Sequence, residues 1–143
     1  MKSVVELDIN RSQERVATLF ADPENNPKWM GDLARYEPLS GQPGMPGSTY
    51  RLVPKKGEMV FLATIVSRNL PNEIRLSLVA SNVTVSITAR FIQLSVEKTR
   101  LVSEEEFSFK GLVGKLVGFF AQGSIRKAHR RHIEAFKRFA EEA

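Results

Sequence analysis

Residues Val83 to Phe120 read VTVSITARFIQLSVEKTRLVSEEEFSFKGLVGKLVGFF. Val83, Val85, Ile87, Ala89 and Phe91 alternate with Thr84, Ser86, Thr88 and Arg90. Successive side chains of a strand point to opposite faces, so this is a half-buried strand. After a turn at Ser95 to Lys98 the alternation resumes. Leu101, Ser103, Glu105, Phe107 and Phe109 share one face; Arg100, Val102, Glu104, Glu106 and Ser108 share the other. Beyond Lys110-Gly111 the period becomes helical and stays so to Ala143. The spacing predicts a first helical stretch, Leu112 to Phe120, and an amphipathic second one, Ser124 to Glu142. Gly118 and Gly123 each weaken a helix by ~1 kcal/mol relative to alanine, so either marks a kink or a close approach to the sheet.

Upstream the same rules give the remaining elements. Val5, Leu7 and Ile9 alternate with Glu6, Asp8 and Asn10 as a first strand. Ser12 caps a helix Gln13 to Ala21, with Val16, Leu19 and Phe20 as its apolar stripe. Asp22-Pro23 stops that helix and starts another, leading to Trp29-Met30. Extended runs follow at Leu33 to Leu39, Ser48 to Val53, Met59 to Val66 and Glu73 to Val79, separated by turns rich in Gly, Pro and Asn. Met59 to Val66 is apolar at successive positions, as for a strand covered on both faces. The order is one strand, two short helices, six antiparallel strands and a long C-terminal helix. It is an α+β single domain, 1–143, with no repeat and no linker.

The chain holds 143 residues, 42% hydrophobic, with a formal net charge of +5 and no cysteine. The absence of cysteine excludes a disulfide scaffold, a thiolate metal site and a cysteine nucleophile. No stretch approaches the ~20 apolar residues of a membrane span, and the first ten residues contain no signal-peptide core. A cytoplasmic protein is expected. The sequence pI near 9.7 makes polyanions worth weighing. Residues 1–109 carry 13 basic and 13 acidic side chains, and residues 110–143 carry eight basic and three acidic, so the whole excess lies in the last segment.

Several local features together resemble the polyketide cyclase/dehydrase and lipid-transport family of the START-like superfamily. They are Asp22-Pro23 with Trp29-Met30, Gly47-Ser48-Thr49-Tyr50 opening a strand, and the hairpin Arg90-Phe91 to Thr99-Arg100-Leu101. The entry Phe109-Lys110-Gly111-Leu112 and the basic-apolar helix Arg126 to Phe139 complete them. The resemblance spans essentially the whole chain. It implies a helix-grip fold, a seven-stranded antiparallel sheet wrapped around the C-terminal helix, with a cavity between the two. It implies carriage of a hydrophobic small molecule or lipid, or alternatively a cyclase or dehydratase using the same cavity.

Within that frame the alternation nominates Trp29, Tyr50, Phe61 or Leu62, Leu76, Val85, Ile87, Phe91, Leu101 and Phe107 as cavity lining; the competing reading is that they fill a core. Glu105 is the polar residue of most interest. Facing inward, it would be costly unless paired or protonated, and could orient a ligand hydroxyl or act as an acid or base. A bulge that turns Glu104-Glu105-Glu106 into solvent is the alternative, and three consecutive glutamates favour it.

On a wheel of ~100° per residue, His129 and His132 fall within about 40° of Ile125, on the apolar arc with Phe136, Phe139 and Ala140. They read as core histidines, or as pocket groups. In an enzyme, Glu105 and His132 would form the acid–base pair. Two histidines without a ligand cluster indicate no metal, and no motif indicates a cofactor. The basic face of Arg126, Lys127, Arg130, Arg131, Lys137 and Arg138 lacks aromatic side chains for stacking bases, so nucleic acid is not expected. Weak contact with an anionic membrane is an option, because Leu112 to Phe120 is apolar enough to touch an interface. The oligomeric state is left open.

Overall fold

A computed structural model describes residues 1–57 and 59–143. Strand β1 (Lys2–Ile9) leads into helix α1 (Gln13–Ala21), a 3-10 turn (Pro23–Asn25) and the short helix α2 (Asn26–Trp29). Then come β2 (Leu33–Ser40), β3 (Thr49–Pro54), β4 (Phe61–Asn69), β5 (Glu73–Ala80), β6 (Val83–Ser95), β7 (Lys98–Phe109) and helix α3 (Gly111–Glu142). The sheet order is β1-β7-β6-β5-β4-β3-β2, every neighbouring pair antiparallel. This is the expected architecture, a seven-stranded antiparallel sheet with a long C-terminal helix.

Local chemistry sets the boundaries. Ser12 has extended backbone, and its hydroxyl accepts from the Arg15 N–H, satisfying a donor that the first turn of α1 leaves free. The Asp22 carboxylate does the same for Glu24 N–H at the 3-10 turn. Gly41 takes φ +76, and a methyl group there would meet the backbone of Ser48, so the β2–β3 loop needs glycine at this point.

The C-terminal half of α3 packs on β1, β7 and α1. Phe136 is fully buried; its ring lies 5.1 Å from Phe20 and 5.2 Å from Trp29, both edge-on. Edge-on contact is the favoured geometry for aromatic pairs, and this trio ties α1, α2 and α3 together. At the helix end Arg11 Nε–H donates to Ala140 O at 3.0 Å and Nη2–H to Glu141 O at 2.9 Å, taking up carbonyls that a helix C-terminus leaves unpaired.

Two expectations change. The two helical stretches form one helix of 32 residues. Gly118 is a close approach, because a methyl group built on it would run into the Phe109 ring, whereas Gly123 has open space beside it. In addition, β4 is covered on one face only. Ala63 and Ile65 are fully buried, while Leu62 and Val66 look outward and are exposed.

Candidate functional site

A cavity of about 400 Å³ lies between the inner sheet face, α2 and the middle of α3. The sheet supplies Tyr50, Leu52, Phe61, Leu76, Leu78, Val85, Ile87, Ser103, Glu105 and Phe107. From the helices come Trp29, Ile125, Ala128, His129, His132 and Ile133. Strands β5, β6 and β7 place so many of these side chains on one face because their register is unbroken along the cavity: Leu76 pairs with Ile87, Leu78 with Val85, Val85 with Phe107, and Ile87 with Glu105. Cavities of this size lined mainly by apolar groups are typical ligand sites.

Ten of the twelve residues nominated from sequence line this space: Trp29, Tyr50, Phe61, Leu76, Val85, Ile87, Glu105, Phe107, His129 and His132. Phe91 and Leu101 do not. They lie further along the same strands, where α1 and α3 close directly on the sheet. Phe91 packs edge-on to Phe20 at 5.7 Å, and Leu101 is fully buried. Of the alternatives at β4, Phe61 faces the cavity and Leu62 faces out.

Glu105 points inward. The β6–β7 register is unbroken from Gln93↔Thr99 to Val83↔Phe109, so there is no bulge to turn the glutamate triplet outward. Burial pushes the Glu105 carboxyl up to about 7. Its nearest partner is His129, not the expected His132: Glu105 Oε2 lies 3.7 Å from His129 Nε2.

His129 is buried and held at both ring nitrogens. Nδ1 lies 2.8 Å from Ser3 Oγ and Nε2 lies 2.9 Å from Ser103 Oγ. A neutral imidazole has one N–H and one bare nitrogen, so one serine accepts and the other donates. Burial, with the nearby His132 and Arg130, depresses His129 to about 4. It is therefore neutral at pH 7. His132 instead stands 3.3 Å from Asp32 Oδ1 at the rim, without the alignment of a hydrogen bond, and burial lowers its pKa too. The Glu105–His132 acid–base pair of the sequence reading is thus not formed.

Ser3, Ser103 and Asp32 were not nominated from sequence. Ser103 shares the inward parity of Leu101 and Glu105, and Ser3 continues the parity of Val5, Leu7 and Ile9 two residues earlier. The signal was the alternation itself, carried one step further. Tyr50, also on the cavity wall, is pushed up to about 12 by burial and stays a neutral hydroxyl. Among the described residues no group of three or more His, Cys, Asp or Glu could hold a metal ion.

The sequence matches the family described as polyketide cyclase / dehydrase and lipid transport over residues 1–141. The chain belongs to that family. Solved structures of similar shape include a START superfamily protein from Mycobacterium smegmatis, at 17% identity and TM-score 0.77, covering 99% of this chain and 97% of that one. An aromatase/cyclase from Streptomyces sp. R1128 aligns at 17% identity and TM-score 0.70 over 97% and 95% of the two chains. Norcoclaurine synthase from Thalictrum flavum, in complex with dopamine and hydroxybenzaldehyde, aligns at 15% identity and TM-score 0.71 over 99% and 88%. At these identities the likeness establishes the helix-grip fold and nothing finer. No curated protein matches the sequence. The family's breadth, from lipid transport to polyketide cyclases, leaves the choice between carriage and catalysis to the cavity itself.

Proposed function

We propose that this protein reversibly binds a hydrophobic small molecule or lipid in the cavity under α3, with a polar group of the ligand set against Glu105. The observation that carries this reading is the cavity's composition. Its walls are mainly apolar; Glu105, Ser103 and His129 form a polar corner against the sheet, and Asn26, Asp32, Lys56 and His132 add polar groups elsewhere on the lining. A cavity of ~150 Å³ holds a benzene molecule, so about 400 Å³ leaves room for a ligand of two or three fused rings or a folded chain. A carboxyl poised near 7 donates a hydrogen bond to a carbonyl when protonated and accepts one from a hydroxyl when ionised.

Trp29 is the only tryptophan and lines the cavity, so its fluorescence reports occupancy directly. Titration with the apolar dye anilinonaphthalene sulfonate is expected to quench Trp29 with saturation, and Ile87→Phe or Val85→Phe, which fill the space without adding a second tryptophan, to abolish it. Unchanged dye binding in both filled variants, each still folded by thermal melt, overturns the reading. Native mass spectrometry of freshly purified protein then identifies the natural occupant.

A second reading has its own observation. Glu105 is mostly buried, sits at about 7 and lies 3.7 Å from a neutral imidazole, which suits proton transfer at neutral pH. A cyclase or dehydratase acting on a carbonyl substrate would use Glu105 as acid and base, with His129 in place of His132. For this reading, Glu105→Gln must cost about 100-fold or more in turnover of any substrate found while leaving binding largely intact. Full activity in that variant excludes it.

A further inference from the structure

We propose that the first three turns of α3 dock the protein onto the surface of an anionic lipid bilayer. Leu112, Val113, Leu116, Val117, Phe119 and Phe120 are between 58% and 86% exposed. Single exposed apolar residues are ordinary, but six among nine consecutive helical positions form a contiguous patch that water does not favour. Gly114 and Gly118 face the sheet here, so this part of the helix rests on small residues and turns its large ones outward.

The charge around the patch selects the occupant. No acidic residue stands between Glu106 and Glu134, while Lys110, Lys115, Arg126, Lys127, Arg130 and Arg131 all do. At ~100° per residue, Lys127, Arg130 and Arg131 occupy the same outward arc as Leu112, Leu116 and Phe120, two to three turns further along. One face of one helix therefore runs from apolar to cationic. An interfacial helix needs this combination: apolar side chains entering the acyl boundary and cations held at the level of anionic headgroups. A second copy of this chain would bring a second cationic face against the first, which repels. The charge complementarity is with an acidic surface.

The position also fits the cavity. The same helix lends Ile125 and Ala128 to the cavity wall, about 8 and 12 Å along the axis from Phe120 at ~1.5 Å per residue. A bilayer seated on the patch lies beside the cavity, which rests on the carrier reading above; the docking itself does not.

The test is flotation of the full chain with vesicles of phosphatidylglycerol and phosphatidylcholine, against phosphatidylcholine alone, at low salt. Binding is expected to the anionic vesicles only, to fall steeply with added salt, and to drop about tenfold or more in Phe119→Ser/Phe120→Ser. Lys127→Glu/Arg130→Glu should do the same. All four positions are exposed, so a thermal melt checks that both variants fold as the parent does. Absence of binding at low salt, equal binding to both vesicle types, or binding indifferent to the phenylalanine pair overturns the proposal. So does a stable dimer in sedimentation that the phenylalanine variant dissolves, since a second copy would then own the patch. Dye quenching of Trp29 in the same variants stays intact if only docking is lost, which separates a failure here from a failure of the carrier reading.

Discussion

Glu105 Oε2 and His129 Nε2 stand 3.7 Å apart, yet burial works against charge on both: it raises the carboxyl to about 7 and lowers the imidazole to about 4. Between those values the pair is a protonated acid beside a neutral ring, so the corner presents polarity without net charge to the cavity.

The two titrations oppose each other in stability. The raised Glu105 contributes stability that is full below its ordinary value of 4.5 and is lost as pH rises through 7. The depressed His129 contributes stability that is full above 6.5 and is lost as pH falls through 4. Each swing is on the order of 3 kcal/mol, at ~1.36 kcal/mol per pH unit of displacement. The swings nearly cancel across the middle of the range, so the parent protein hides both. Urea denaturation of Glu105→Gln should show a stability gain over the parent that grows from pH 4.5 to pH 7. For His129→Asn, the difference from the parent should shift in favour of the variant as pH falls from 6.5 to 4. Parallel curves for parent and variants would mean that neither group is displaced.

Either serine beside His129 is expected to matter. Ser3→Ala or Ser103→Ala leaves one buried ring nitrogen without a partner, at a cost of about 1–3 kcal/mol. The two losses should not add, because one imidazole serves both and its tautomer follows whichever serine remains. Denaturant midpoints of the two single variants and the double variant measure this coupling.

The two glycines of α3 should respond oppositely to alanine. Gly118→Ala drives a methyl group into the Phe109 ring and is expected to cost about 1–3 kcal/mol of packing, outweighing the ~1 kcal/mol of helix propensity it gains. Gly123→Ala meets nothing and should stabilise by up to about 1 kcal/mol. Thermal melts of the pair decide it; equal shifts of the same sign would mean that the Phe109 ring simply yields.

Arg11→Ala removes the donors that meet Ala140 O and Glu141 O, and should cost about 1–2 kcal/mol. Hydrogen exchange should show the loss concentrated in the last turns of α3 rather than in its exposed first turns.

Most of the architecture was legible because two periods, two and 3.6, are written cleanly in the chain. Ser12, Pro23 and the Lys110-Gly111 boundary marked ends that the structure keeps. Lining was legible for the same reason, since parity assigns a face. Parity does not assign depth along a strand. Phe91 and Leu101 share the face of Ile87 and Glu105 but lie where α1 and α3 press on the sheet, which depends on helix placement rather than alternation. Charge misled at Glu105, where three adjacent glutamates suggested a wet edge although the unbroken register lets only Glu104 and Glu106 face outward. Two histidines three positions apart share a helix face, and only tertiary structure decides which reaches Glu105. The patch at Leu112 to Phe120 was legible as apolar; its exposure followed from the glycines facing the sheet.

The polar corner joins Ser3 to residues 103, 105 and 129, and β1 pairs only with β7. As the chain leaves the ribosome, the first strand has no neighbour until residues 99–106 appear, and the Ser3 hydroxyl has no partner until His129 does. The polar corner of the cavity is therefore among the last parts of the molecule to be completed, and a nascent chain halted before α3 would hold all seven strands yet leave the cavity without the wall that Ile125, Ala128, His129, His132 and Ile133 supply.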